Sequence, residues 1–266
     1  MMSIDLLLKE ARTQSKLIIP ANWGQGRATF GGLIGSLMLS RLTAELGELA
    51  KDRVLRSATI SFIGAVTQGE VEISTEIFRS GKSVTQAAAK FIQNGEVMAL
   101  LLASFGSPRE SGIHVTPRSI APEYKAPVDA VRLPYIPNLT PEFMQQVDLR
   151  WAQGDAPFSG SNKADFGGWM RWVDAFPCMT ISHLLGLTDS WPPSVLPMLK
   201  GHGNASTLSW NIEFFSHEFQ KTSEHWWQYQ VTTDFAESGY AHAEAHIWDD
   251  DKNLVAISRQ VSTIFA

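Results

Sequence analysis

The stretch LVAISRQVSTIF at residues 254–265 and the earlier stretch VMALLLASF at 97–105 have the same build. The later stretch alternates with the period of a β-strand. One face would carry Val255, Ile257 and Val261, and the other would carry the mixed set Leu254, Ala256, Ser258, Gln260 and Ser262. When the two stretches are superposed as copies of one strand, Gln260 falls on Ala103. The second copy therefore carries an amide where the first carries a methyl group.

The repeat extends beyond this strand, to residues 76–105 and 232–265. Both segments contain an aromatic residue before a Ser-Gly turn, an alternating Ala-rich strand, a polar hairpin and a closing apolar strand. Each meander follows a predicted buried helix, over LIGSLMLSRLTAELGELA (33–50) and PCMTISHLLGL (177–187). A helix covers the apolar face of an antiparallel sheet. The weak repeat therefore predicts an α+β tandem (double) hotdog fold, each half a long helix wrapped by an antiparallel sheet.

The two predicted units are separated by a stretch with six prolines between residues 106 and 138 and little periodicity. We expect an N-terminal hotdog over residues 1–107, a linker or crossover over 108–145, and a C-terminal hotdog over 146–266. The opening segment MMSIDLLLKEARTQSKL predicts a short amphipathic helix. The two sheets are expected to join edge to edge, and exposed sheet edges favour a homo-oligomer.

Composition narrows the possible partners and location. The net charge is −5, and Lys and Arg do not cluster in the pattern of a nucleic-acid binder, so nucleic acid is not an expected partner. No stretch approaches the ~20 apolar residues that a membrane-spanning helix needs, and no signal segment is predicted. The single cysteine, Cys178, excludes an intrachain disulfide and fits a reducing compartment, so we expect a cytoplasmic protein.

Several motifs in order make the chain similar to a known family, the double-hotdog acyl-CoA thioesterases (bacterial type II enzymes and their peroxisomal relatives). The N-terminal motifs are GRATFGG, SFIGAV and the run from 71 to 105. The C-terminal motifs are LLGLTDS, STLSWNIEFF and LVAISRQ. The resemblance covers most of the chain.

The resemblance implies hydrolysis of fatty acyl-CoA thioesters to free fatty acid and CoA, without a metal or other cofactor. In that family an Asp after the second helix, a Thr on the following strand and a Gln on the last strand hold the attacking water. These residues correspond here to Asp189, Thr207 and Gln260. The family usually carries an Asp-His pair after the Thr, whereas this chain reads TLSWNIEFFSHE, so Ser206 stays open as the site hydroxyl.

The chemistry agrees with these residue types. Water attack on a thioester needs a base and hydrogen-bond donors for the developing oxyanion. Asp189 is the strong base of the three, while the Gln260 amide and the Thr207 hydroxyl can both donate and accept. Purely structural roles stay open: a turn residue for Asp189, an edge-strand residue for Gln260 and a β-branched strand residue for Thr207.

The segment TFGG gives the expected substrate-binding residues Phe30, Gly31 and Gly32. Backbone amides at a helix start can bind an acyl oxygen or the CoA phosphates, since glycine permits close approach. Tight helix–sheet packing explains the same residues, and we favour that interpretation.

Two rival sites are weighed against this one. His242, Glu244 and His246 in HAEAH share a predicted strand face and could bind zinc or iron, but a solvent-facing strand with its alanines inward has the same pattern. We favour the second interpretation. Cys178 is predicted to be a buried residue of an apolar helix rather than a nucleophile.

Two other functions stay open beside the thioesterase. One is a hotdog acyl-CoA hydratase or dehydratase, although His183, His202 and His217 do not reproduce its Asp/His motif. The other is a non-catalytic acyl-CoA binding protein that kept the fold.

Overall fold

The computed structural model describes residues 2–201, 203–215 and 220–265, so His202 and His217 lie outside the described residues. The described part contains three α-helices: α1 (Ile4–Thr13), α2 (Gly31–Glu45) and α3 (Ile181–Thr188). None of these is long and apolar enough to cross a bilayer. Helix α1 is the predicted amphipathic helix; it begins after Ser3, whose side chain accepts a hydrogen bond from the Leu6 N–H.

The strands of the described part follow in chain order: β1 (Lys16–Ile19), β2 (Gly24–Gln25), β3 (Ala28–Thr29), β4 (Val54–Phe62), β5 (Gly69–Ser80), β6 (Val84–Gln93), β7 (Glu96–Gly106), β8 (Val131–Leu133), β9 (Val147–Gln153), β10 (Phe166–Trp172), β11 (Asn204–Phe214), β12 (Trp227–Glu237), β13 (Tyr240–Trp248) and β14 (Leu254–Phe265). Strands β2 and β3 form a small ribbon. The other twelve form one antiparallel sheet in the order β1-β5-β6-β7-β4-β11-β14-β13-β12-β10-β9-β8.

The register of this sheet confirms the internal repeat. Strand β7 lies between β4 and β6, with Ala103 opposite Ala58 and Ala87. Strand β14 lies between β11 and β13, with Gln260 opposite Trp210 and Ala243. Ala103 and Gln260 therefore occupy the same place in the two halves.

The two halves join where β4 pairs with β11, as predicted, and the Asn211 amide donates a 3.0 Å hydrogen bond to the Thr59 hydroxyl across the joint. The two core helices cross antiparallel inside the sheet. Gly32 lies against Gly186, because a Cβ built at Gly32 would be 2.5 Å from the Gly186 carbonyl oxygen. Four residues further along α2, the Ser36 hydroxyl donates to the Ser182 carbonyl at 2.7 Å. The tandem hotdog arrangement is thus present.

The core helix of the second half, α3, is shorter than predicted. Thr180 caps α3 through a capping box with His183, so the helix begins at Ile181 rather than near Pro177. Cys178 precedes the cap and is exposed, so the prediction of a buried helical cysteine was wrong. The physical reason is that the Thr180 hydroxyl accepts a hydrogen bond from the His183 N–H, one of the unpaired N–H groups of the first turn, and fixes the start of the helix four residues after Pro177.

The Pro-rich stretch contains structure of its own. Strand β8 pairs with β9 at one end of the sheet. Further back along the chain, the Trp169 indole N–H donates to the Lys125 carbonyl at 2.9 Å, and the Tyr124 hydroxyl donates to the Tyr229 carbonyl at 3.2 Å. These contacts attach the stretch to the sheet of the second half.

Candidate active site

Asp189 lies where the two core helices meet. It is the residue after the last turn of α3, a position at which the helix dipole disfavours a negative charge. The structure supplies compensation from the other half, because the N-terminus of α2 faces the same carboxylate. The Gly32 N–H donates a hydrogen bond to it, and a Cβ at Gly31 would lie 2.9 Å from Asp189 Oδ2. A helix N-terminus stabilises an anion, so this contact explains how the carboxylate is held.

Gln260 also binds the Asp189 carboxylate. Its Nε2 donates a 2.8 Å hydrogen bond to Asp189 Oδ1. Both side chains are only partly exposed. A primary amide carries two donor hydrogens and an acceptor oxygen, so Gln260 keeps one N–H and its carbonyl for a water or a substrate. The amide that distinguishes the second strand copy is therefore directed at the predicted base.

The pKa of Asp189 is raised from its usual range to about 7. Burial is the main cause, since a poorly hydrated carboxylate favours its neutral form. The hydrogen bonds from Gln260 and the Gly32 N–H act in the opposite direction and keep the ionised form accessible. A carboxylate with a pKa near neutrality is suited to general-base catalysis near pH 7.

Thr207 lies one strand away from this pair. It is opposite Ser262 on β14, and side chains of opposite residues project from the same face. Since Ser262 and Gln260 are two residues apart, Thr207 shares the face of Gln260, with an irregularity of the ladder between Thr207 and Ser209. Ser206 is opposite Thr263 and belongs to the other face. The register thus favours Thr207 over Ser206 as the site hydroxyl.

Phe30, Gly31 and Gly32 play different parts. The Phe30 side chain is completely buried and stacks on Phe143 with ring centroids 4.1 Å apart. The side chain is therefore part of the core. Gly32 allows α2 to approach α3, which is packing of helix on helix rather than the expected packing of helix on sheet, whereas a Cβ at Gly31 would meet Asp189 and the Phe62 ring of β4.

A small cavity adjoins Gln260 on the inner face of β12, β13 and β14. Tyr229 borders it and lies close enough for the Asp189 charge to add to burial in raising the pKa of the phenol. The sequence analysis missed Tyr229 and the covering segment, which includes Pro192 and Ser194. The alternation of small residues along β13 and β14 was the available signal, because it predicts a recess rather than a filled core.

The rival histidine site has another arrangement. Ala241 and Ala245 of β13 are buried, and His242 is exposed on the opposite face, as the favoured interpretation expected. The Glu244 carboxylate accepts a 2.7 Å hydrogen bond from Arg259 Nε. It is therefore engaged by a cation of the neighbouring strand.

In the described residues, the group of carboxylates close enough to share a metal ion is Asp249, Asp250 and Asp251 at the β13–β14 hairpin. The Lys221 ammonium donates to both Asp250 and Asp251. This exposed cluster is neutralised in part by that lysine.

Comparison with protein families gives two matches that together cover most of the chain. Residues 19–106 match the model of the acyl-CoA thioesterase N-terminal domain, and residues 127–264 match that of the C-terminal domain. The chain belongs to the acyl-CoA thioesterase family. No curated protein matches this thioesterase-family chain in a direct sequence comparison.

Solved structures similar to this member of the family share its fold over nearly the whole length. A hotdog protein of unknown function from Alicyclobacillus acidocaldarius has a TM-score of 0.84 at 21% identity, covering 97% of this chain and 98% of that one. A putative thioesterase II from Thermobifida fusca gives 0.79 at 16% identity, with 97% of each chain covered. An acyl-CoA thioesterase II from Mycobacterium marinum gives 0.74 at 17% identity, covering 97% and 98%.

Proposed function

We propose that the protein hydrolyses acyl-CoA thioesters to the free acid and CoA, with a water held by Asp189, Gln260 and Thr207. The observation that carries the proposal is the 2.8 Å hydrogen bond from Gln260 to Asp189 at the N-terminus of α2. It joins a base of raised pKa, an oriented amide and a helix N-terminus from the opposite half of the chain. Membership of the family supports the choice of substrate class.

The reaction we assign to these groups begins with ionised Asp189 accepting a proton from water. The oxygen of that water forms a bond to the thioester carbonyl carbon and gives a tetrahedral oxyanion. Collapse of this intermediate breaks the carbon–sulfur bond, and the CoA sulfur leaves with a proton returned from Asp189. The products are the free acid and CoA, and the carboxylate is ready for another turnover.

The other groups orient the water and stabilise the oxyanion. The Gln260 N–H that does not face Asp189 and the Thr207 hydroxyl are assigned to the water. Gly31 N–H is assigned to the oxyanion, because helix geometry leaves the first amide groups of α2 without an intrahelical acceptor. Fixed donors of this kind stabilise developing negative charge in a site that excludes bulk solvent.

The hydratase alternative is not favoured by the position of His183. Its Nδ1 lies 2.7 Å from the Thr180 hydroxyl at the start of α3, and its Nε2 lies 3.6 Å from Asp5 of α1. Asp189 is at the other end of that helix. His183 therefore does not form an Asp/His pair with the proposed base.

Self-association is part of the proposal. Leu102 of β7 and Leu208 of β11 are 46% and 41% exposed, although both belong to strands in the middle of the sheet. Apolar side chains on the open face of a sheet favour contact with a second copy. Light scattering on the purified protein measures the assembly, and a monomer at micromolar concentration would contradict this part.

The test of the function is a panel of acyl-CoAs incubated with the purified protein and a thiol-reactive dye. A thioesterase releases free CoA from the saturated substrates. Hydration of an enoyl-CoA without release of CoA would establish the hydratase alternative. Saturable binding with no chemical change would establish the binding protein, and either result would overturn the proposed hydrolysis.

A further inference from the structure

The cavity beside Gln260 has a floor of small side chains, and it deepens the proposed function. In three successive cross-strand pairs, Ser or Gln of β14 stands opposite Ala of β13. The pairs are Ser262 with Ala241, Gln260 with Ala243, and Ser258 with Ala245. All six residues border the cavity, which we call the acyl recess. Because it lies on the inner face of the sheet next to the proposed base, an acyl group attached to a thioester at Asp189 can enter it.

A rigid segment covers the recess. This roof, residues 190–195, follows Asp189 directly and contributes Pro192 and Ser194 to the lining. Ser194 Oγ accepts a 2.8 Å hydrogen bond from the Thr233 hydroxyl of β12. Two consecutive prolines, Pro192 and Pro193, fix the backbone torsions of the roof and restrict its movement.

Aromatic stacking anchors the roof at one side. Trp191 stacks on Tyr229 with centroids 5.1 Å apart and an interplanar angle of 7°. Trp191 also contacts Trp151 and Phe166, with ring centroids 5.6 and 5.8 Å away. Trp191 is 6% and Tyr229 is 7% exposed. This packed aromatic cluster leaves the roof little room to lift.

The covered recess is very small. Its volume is about 10 Å³. That figure is the space open to the centre of a water-sized sphere, so the void itself holds roughly one to three groups of the size of a water molecule, and a methylene group is about that large. The recess therefore has room for roughly one to three carbons beyond a carbonyl, whereas a long acyl chain would have to displace the roof and the aromatic cluster.

On these grounds we propose that the protein is selective for short acyl groups of about two to four carbons, with the roof and Tyr229 ending the recess. This inference rests on the proposed function, since it takes Asp189 and Gln260 as the reacting end of the site. The CoA moiety is far larger than the recess and stays outside it. Val231 borders the recess from β12, and we assign it the role of limiting the width there.

The experiment compares kcat/KM for acetyl-, butyryl-, octanoyl- and decanoyl-CoA. We expect the wild-type values for the first two to exceed those for the last two by about 100-fold, since a methylene that does not fit costs roughly 10–200-fold. Val231→Ala enlarges the recess and should raise octanoyl-CoA relative to butyryl-CoA by about ten-fold. Val71→Ala is the matched control, because Val71 is as buried as Val231 but belongs to the first half.

Binding separates this inference from the proposed function. Calorimetry with Asp189→Asn protein measures affinity for butyryl- and decanoyl-CoA without turnover. If no acyl-CoA is hydrolysed but butyryl-CoA binds at least ten-fold more tightly than decanoyl-CoA, the hydrolysis fails and the short-acyl recess stands. Decanoyl-CoA binding or hydrolysis equal to that of butyryl-CoA would overturn the inference, as would an unchanged chain-length profile in Val231→Ala.

Discussion

The two halves of the sheet meet the two core helices at corresponding places, which we call corners, and the carboxyl and amide groups proposed for catalysis lie at the corner of the second half. Gln260 and Asp189 are joined by a hydrogen bond in the second half. Ala103 takes the place of Gln260 in the first half. A pseudo-two-fold axis between the two core helices relates the Gly32–Gly186 contact to the Ser36–Ser182 contact. The same axis places Leu39 at the position that corresponds to Asp189.

The first corner is closed as well as unreactive. Leu39 and Ala103 are 1% and 2% exposed. Helix α1 covers the same end of α2, where the Ser40 hydroxyl donates to the Leu8 carbonyl at 2.9 Å. The fold therefore makes two equivalent corners, and the two side chains at each corner distinguish the candidate site from the closed core corner.

Asp189→Asn should produce the largest loss of activity. The amide cannot accept the proton from water, and removal of a general base typically costs about 10²–10⁴ in rate. The measurement is kcat/KM for the best acyl-CoA with folded variant protein. A value near that of the wild type would rule out Asp189 as the base.

The same variant should be more stable than the wild type, which separates lost chemistry from lost folding. The native pKa of Asp189 is about 7, above the usual 3.8, so the native state binds the proton more tightly than the unfolded state. Its contribution to stability is complete below pH 3.8 and is lost as the pH rises to 7, by up to about 4 kcal/mol. The free energy of unfolding of Asp189→Asn should therefore exceed that of the wild type by more at pH 8 than at pH 5. A variant less stable than the wild type at both pH values would contradict the burial cost.

Two variants exchange the amide and the methyl group between the two corners: Gln260→Ala and Ala103→Gln. Gln260→Ala removes one donor to the base and the water, and should lower kcat/KM by about 10²–10³. Ala103→Gln puts an amide at the closed corner, where the buried apolar side chain of Leu39 takes the place of Asp189. Stability should fall by about 1–3 kcal/mol, as for a buried polar group without a partner, and turnover should stay unchanged. Denaturant unfolding measures the stability of both variants, and steady-state kinetics measures their kcat/KM. A lower kcat/KM in folded Ala103→Gln protein would contradict the roles assigned to the two corners.

Thr207→Val should have a smaller effect, about ten-fold to a hundred-fold in kcat/KM, because the hydroxyl shares the water with two stronger partners. Ser206→Ala is the matched control from the opposite face of β11 and should change the rate less than two-fold. A larger loss in Ser206→Ala than in Thr207→Val would reverse the assignment that the strand register favours.

The repeat and the β7/β14 superposition could be predicted from sequence because they depend on local alternation and turn residues. Ser238 and Gly239, the predicted turn, do adopt positive φ values of 53° and 80° between β12 and β13. The contact of Asp189 with the start of α2 could not be derived from the residues themselves, since it joins segments more than 150 positions apart in the chain. The start of α3 was misplaced because a side-chain cap at Thr180 overrides the apolar pattern before it.

The roof of the acyl recess also could not be predicted from the sequence. Trp191 stacks on Tyr229, which is 38 positions later in the chain, and this contact is formed by the tertiary fold. Packing partners of aromatic residues are set by the whole core, not by spacing along the chain.

The central claim is that Asp189 is the base and ionises near pH 7 because it is buried. The most direct test is the pH dependence of kcat/KM from pH 5 to 9, for the wild type and for Gln260→Ala. For the wild type we predict a rise of one power of ten per pH unit that levels off with a midpoint near 7. In Gln260→Ala the midpoint should move to higher pH, because the hydrogen bond that favours the ionised carboxylate is lost. A wild-type profile that is flat from pH 5 to 8, or a midpoint that Gln260→Ala leaves in place, would contradict the account.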